Sequence, residues 1–334
     1  MSWCFEVRFI TPLLMGGLMG GSDPQGLDSL GLRGNSLRGG WRFWLRALLG
    51  GILPGTSANQ LLTLENNIFG ATGRAVFRLR VERIIANCQD FLRLPHKTGG
   101  AAAKKHGYQE GARFQVRILP RPQAMSPAAE KVLLASIWLW GYLGGIGNRA
   151  RRGFGSPVLA SAANHPDPFR ALNLQVKQEF QDAEDLAQYL RTGICACWQA
   201  VAAWVRNEGF TPQPITALTA TTTPLNSFRF FTLANLHQVA VSTQSFADLG
   251  CLASAPNPTG AIATIHGDRS ASPELGRVQG GRLASPAFLR LHRVGNGWVP
   301  VCTWSKFQRI PDRGLALAYL RRLGFTTSLL GVAW

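Results

Sequence analysis

Arg38, Arg42 and Arg46 lie four residues apart in the stretch Leu32–Leu48, LRGNSLRGGWRFWLRAL. On a helix this spacing gathers three guanidinium groups on one side and leaves Trp41, Trp44, Leu45 and Leu48 on the other. Arginines beside a helix N-terminus are suited to phosphate, which accepts paired N–H donors and is favoured by the helix dipole. No Asp or Glu stands between Asp28 and Glu65 to neutralise the row.

A second segment repeats this chemistry with a different backbone. Gly144–Gly155 holds Gly144, Gly145, Gly147, Gly153 and Gly155 together with Arg149, Arg151 and Arg152. Glycines admit a phosphodiester chain close to main-chain N–H groups, and the arginines add charge. An exposed turn with solubilising charge is the plainer alternative. Phe154 and Tyr142 offer rings on which bases could stack, with core packing the simpler account of Tyr142. The stretch GIGNRA matches GxGxxA only superficially. That fingerprint needs a strand before it and a helix after it, and here a helix precedes and a strand follows, so no nucleotide cofactor is expected. No acidic residue occurs from Lys131 to Pro166. The expectation is that the two acid-free segments converge into one basic groove.

The whole composition agrees. Lys and Arg number 35 against 18 Asp and Glu, a net charge of +17, which attracts polyanions. A chain of 334 residues, 46% of them hydrophobic, can bury two ordinary cores. No apolar run approaches the length of a membrane span, and SWCFEVRFI lacks the basic leader and apolar core of a signal peptide, so a cytoplasmic protein is expected. Cys4, Cys88, Cys195, Cys197, Cys251 and Cys302 form no CxxC pair and read as reduced thiols, so no metal is expected.

The positioning elements follow from periodicity. Trp3, Phe5, Val7 and Phe9 alternate with polar residues as a half-buried strand. Ala75–Val81 and Arg113–Ile118 alternate likewise, with Arg78, Arg80, Arg113 and Arg117 on an outer basic face that Lys104 and Lys105 extend. Pro95–Gly111 reads as a loop or hairpin tip, and Pro127–Leu143 as a buried helix. Strand, helix, strand, strand, helix, strand is the order of a ferredoxin-like or RRM-type fold. A boundary falls near HPDP, giving domains 1–165 and 166–334. In the second, Leu186–Val205 reads as an amphipathic helix, Ala261–His266, Ala287–His292 and Trp298–Trp304 as strands, and Leu315–Leu323 as a helix. The expected class is α+β, two tandem ferredoxin-like domains with antiparallel sheets and inserted loops.

FITPLLMGG (9–17), LRGNSLRGGWRFWLRAL (32–48), NNIFGATG (66–73) and GGIGNRARRGFGS (144–156) resemble the RAMP superfamily of CRISPR proteins. GRLASPAFLRLH (281–292) and GWVPV (297–301) are similar to the C-terminal region of its type III-B, or Cmr, members. The resemblance implies a head subunit of a guide-RNA complex, holding the 3′ part of the guide and adjoining target RNA, with other Cmr and RAMP subunits as partners. It carries Arg33, Ser36, Arg38, Trp41, Arg42 and Arg46 over as contact or scaffold positions, with Gly145, Gly147, Arg149, Arg151, Arg152 and Gly153 in the Gly-rich loop. No cofactor is expected.

Catalysis has thin support. Metal-independent RNA cleavage needs a base that activates a 2′-OH, usually His. The first is His96, and it and His106 read as solvated loop residues. Related backbone subunits cut with a loop Asp and a divalent metal, for which Asp23 and Asp28 are the weak candidates, although SDPQG is a natural turn. The expected role is non-catalytic binding. A guide-processing endoribonuclease and a structural adaptor are the alternatives.

Overall fold

The computed structural model describes residues 2–15, 31–71, 76–92, 104–121, 125–213, 231–267, 285–305, 313–331 and 333. Asp23, Asp28 and His96 lie outside the described residues.

The first half runs β1 (Trp3–Phe9), α1 (Gly34–Ile52), α2 (Ala58–Phe69), β2 (Phe77–Ile85), β3 (Cys88–Leu92), β4 (Lys104–Tyr108), β5 (Arg113–Pro120), α3 (Pro127–Leu143) and β6 (Pro157–Ser161). Four strands form one antiparallel sheet in the order β2-β5-β1-β6. With α2 and the β3–β4 hairpin set aside as insertions, β1-α1-β2-β5-α3-β6 is the expected βαββαβ order. Alternation fixes the buried face: Phe5, Val7 and Phe9 from β1 and Phe114, Val116 and Ile118 from β5 are all buried. Helix α3 is apolar around most of its circumference and is accordingly buried along nearly its whole length. Its start is set by Pro127 and by Ser126, whose hydroxyl accepts from the Ala129 amide at 3.2 Å. Helix α2 was not expected from periodicity, yet a Ser57–Gln60 capping box opens it.

The second half supplies a 3₁₀ turn at Pro168–Leu172, α4 (Ala183–Asn207), β7 (Val239–Val241), α5 (Ala261–Gly267), β8 (Ala287–Val294), β9 (Gly297–Trp304) and α6 (Arg313–Arg322). Its strands pair antiparallel in the order β7-β9-β8. The strand expected at Ala261–His266 is instead helix α5. A short, mostly apolar run does not distinguish the two states by periodicity; here the Thr264 amide donates to the Gly260 carbonyl in helical register, and the carbonyls of Asp248 and Leu249 take the first-turn amides of Ala261 and Ile262.

The two halves share their interior. Helix α4 lies against α3, and the larger core mixes Trp138 and Trp140 with Trp198 and Val201. Strand β8 sends the fully buried Arg290 into the first half. There it donates to the carbonyls of Gly141 and Pro157, both at 2.6 Å. Burial pushes its pKa down to about 9. His292 follows two residues later, buried, with Nε2 at 2.9 Å from the Tyr142 carbonyl and its ring stacked on Tyr142.

Candidate nucleic-acid interface

Helix α1 begins at Gly34 after Arg33, with no side-chain cap and no acidic residue in its first turn. The Ser36 and Leu37 amides donate to the Arg33 carbonyl, which leaves the first-turn amides of Gly34 and Asn35 without an intrahelical acceptor. Asn35 and Gly39 are exposed, Ser36 is half-buried, and the space beside Gly39 is open. The Trp41, Trp44, Leu45 and Leu48 side is buried as expected.

The arginine row forms, but its charge is largely committed inside the protein. Arg38 donates to the Phe77 carbonyl at 3.3 Å, and its guanidinium lies 4.9 Å from the centre of the Phe77 ring. Burial, and then the like charge of Arg42, lower its pKa. Arg42 donates to the Gly70 carbonyl and stands 3.4 Å from Glu65. Arg46 meets both oxygens of Glu65, at 2.8 and 3.1 Å. Glu65 is 1% exposed, whereas Arg46 keeps 45% of its side chain in solvent. The expectation of an unneutralised row is corrected here. The acid that closes the acid-free stretch folds back on α2 to pair with two of the three arginines.

The Gly/Arg loop is also turned inward. Gly147 has φ +87°, and a Cβ there would stand 2.6 Å from the Leu14 carbonyl oxygen. The loop is laced to the rest of the chain: Gly155 donates to Pro12, Gly153 to Leu289, and Leu289 in turn to Arg151. Arg151 donates to the Ser285 carbonyl and lies over the rings of Phe43 and Phe288, 5.4 and 5.6 Å from their centres. Its burial lowers its pKa. Arg152 reaches the Ile265 carbonyl at 3.5 Å, and Arg149 holds a left-handed backbone with φ 63°. Gly145 would crowd the Ala150 carbonyl if it carried a Cβ. Phe154 is fully buried against His266, which corrects the expectation of a stacking ring. Tyr142 is buried too. The loop glycines therefore serve close packing between residues 12–14 and β8.

The two segments do meet, since Arg151 covers Phe43 of α1, and Trp44 abuts Gly144. What they enclose is apolar. The phosphate-competent surface left open is the α1 N-terminus from Asn35 to Gly39 and the outer edges of Arg42 and Arg46.

The outer basic face divides in two. Arg78, Arg80, Arg113 and Arg117 share one side of the four-stranded sheet, whereas Lys104 and Lys105 sit on the separate β3–β4 hairpin. His106 is not a loop residue: it lies in β4, with Nδ1 2.8 Å from Asp90. Among the described residues no three His, Cys, Asp or Glu side chains are grouped as metal ligands, and no helix is long and apolar enough to cross a membrane. Sequence reasoning missed Glu65 and Arg290. The capping box ahead of α2 could have flagged the first, while an Arg flanked by Leu289 and Leu291 in a strand is the signal for the second.

Residues 6–158 match the model of the RAMP superfamily. The CRISPR system Cmr subunit Cmr1-1 of Pyrococcus furiosus is 30% identical over 151 residues, a match taking in 40% of this chain and 42% of that protein. The fold is similar to the crystal structure of apo Cmr1 from Pyrococcus furiosus, with TM-score 0.62 and 18% identity over 99% of both chains. It is also similar to a chain of the type III-B Cmr-β complex bound to cognate target RNA. The TM-score there is 0.51, with 11% identity over 96% of this chain and 98% of the other. At such identities these two likenesses concern the fold.

Proposed function

We propose, from the RAMP-superfamily character of residues 6–158, that this chain is a non-catalytic RNA-binding subunit of a type III-B CRISPR effector. In this reading it works in the cytoplasm beside other Cmr subunits and holds the 3′ part of the guide and the adjoining target RNA. The observation that carries the reading is the uncapped, acid-free N-terminus of α1, flanked by arginines, in a RAMP segment of a chain with net charge +17. Phosphates would meet the Gly34 and Asn35 amides and the outer edges of Arg42 and Arg46, with little readout of sequence.

We also read the second half, from residue 166, as a second ferredoxin-like unit. The order β7-α5-β8-β9-α6 and the pairing β7-β9-β8 support this. So does the Leu329 amide, which donates to the Val239 carbonyl of β7 where a fourth strand would lie.

The test is binding of single-stranded RNA by the full chain across a salt series, with ultraviolet crosslinks mapped to peptides. The expected result is a strong salt dependence, crosslinks within 31–46, and RNA left intact without metal. No binding at low salt would overturn the reading, and cleavage of repeat RNA would replace it with the endoribonuclease alternative.

A further inference from the structure

The side of the four-stranded sheet turned away from α1 and α3 is organised in rows. Cross-strand register places Arg80 opposite Arg117, which is in turn opposite Cys4. One step along, Glu82 faces Gln115, which faces Glu6. One further step along, Arg113 faces Arg8. A row of carboxylates and an amide thus lies between two rows of arginine, the outer rows about 13 Å apart at strand rise. The β6 side of this face is covered, since Val158 and Ala160 are buried. The β2 and β5 side is open, with Arg80 68% and Arg113 40% exposed.

Two of these register pairs, Arg80 with Arg117 and Arg8 with Arg113, set like charges directly opposite each other, an arrangement that destabilises a sheet. Internal acids offset it only in part. Glu82 meets Arg80 at 2.7 Å, Glu6 reaches Arg113 at 3.9 Å, and the charge of Arg8 also acts on Glu110, beyond ion-pair distance. Arg8, Arg78 and Arg117 make no ion pair among the described residues. The like-charge repulsion would be relieved by an anion bridging each pair.

We infer that this open sheet face is a second binding surface for single-stranded RNA, distinct from α1. Phosphates sit on the Arg80/Arg117 and Arg8/Arg113 rows, and the Glu82–Gln115–Glu6 row accepts hydrogen bonds from 2′-hydroxyls or exocyclic amines. An acidic protein segment fits less well. It would satisfy the outer rows but would set its own carboxylates against Glu6 and Glu82. RNA carries both the anion and the donors that the three rows ask for. The inference rests on the RNA-binding reading above and extends it to a separate surface.

The test compares the full-length wild type with Arg80→Gln/Arg117→Gln and with a charge-matched control, Arg170→Gln/Arg206→Gln, both of whose residues are exposed elsewhere. A fluorescent 20-nucleotide RNA is titrated across salt, and thermal midpoints are recorded. The sheet variant should lower the log–log salt slope by about 0.7, the value for the one phosphate that the Arg80/Arg117 pair bridges, with a midpoint equal to or above wild type. The control should leave the slope within experimental scatter. Wild type that binds RNA while the sheet variant keeps its slope overturns this inference alone. Wild type that fails to bind overturns both readings. Binding of polyglutamate that depends on Arg80 and Arg117, with RNA binding unaffected, also overturns it and reassigns the face to an acidic protein partner.

Discussion

At the scale of single residues, the same guanidinium groups serve both folding and the proposed binding. Glu65 is buried and holds Arg42 and Arg46 at once. Its replacement by Gln leaves two charges facing a neutral amide, but both arginines still reach water, so the cost falls below that of a fully buried pair. We expect Glu65→Gln to cost roughly 2 kcal/mol in urea unfolding while RNA affinity holds or rises, because the freed arginines become available to phosphate. A loss of affinity at full stability would instead make Glu65 part of the binding surface. His292 gives a prediction of another kind. Burial, and then the neighbouring charge of Arg290, hold its pKa well below the usual 6.5. The unfolded chain takes up this proton as pH falls through about 6.5, whereas the folded chain does not. Stability is therefore flat above that pH and falls below it by about 1.4 kcal/mol per pH unit from this residue. Urea midpoints between pH 7.5 and 5 should show the fall in wild type and a shallower one in His292→Gln.

At the scale of elements, close approach decides what the helices tolerate. Gly193 of α4 lies so near Trp138 of α3 that a Cβ would stand 1.9 Å from the indole Cζ2. Ala is the better helix former by about 1 kcal/mol, but forcing a methyl against a buried indole costs about 1–3 kcal/mol. Crowding wins, so Gly193→Ala should lower the urea midpoint with an unchanged m-value, and a rise would mean that the two helices slide apart freely. The elements also separate what the sequence made legible from what it did not. The alternation of β1 and β5, the apolar run of α3 and the i, i+4 row of α1 are local patterns, and each became the expected element with the expected buried side. The fate of the charges was not local. Glu65 lies 19 residues from Arg46, and the carbonyl that receives Arg151 lies 134 residues away. Glycine spacing likewise identified a loop without telling whether a phosphodiester or the chain's own backbone comes close to it. Here the backbone does, at Leu14 and Ile146.

At the scale of the whole molecule, the boundary drawn at residue 165 divides the sequence, while the interior crosses it. Phe169 sets its ring edge-on to Phe5 of β1 at 5.6 Å. Trp198 and Val201 of α4 complete the core around α3, and Arg290 of β8 caps carbonyls of α3 and β6. The smaller core in turn takes Leu14, Phe91 and Phe154 from the first half. Residues 1–165 alone would expose the whole α4-facing side of α3, an apolar surface far too large for a stable monomer. We therefore expect the full chain to unfold in one transition, with tryptophan fluorescence and far-ultraviolet circular dichroism giving the same urea midpoint. The 1–165 segment should keep helical and strand signal but lose near-ultraviolet dichroism and bind a hydrophobic dye. Two separated transitions in the full chain, or a cooperatively folding 1–165 segment, would show that the shared interior is an interface between independent domains. In that case the open sheet face could be studied in the isolated first half. If the halves fold as one, every variant of the RNA-binding surfaces must be judged against the stability of the entire chain, because a local loss of packing at α3 lowers the population of both surfaces together.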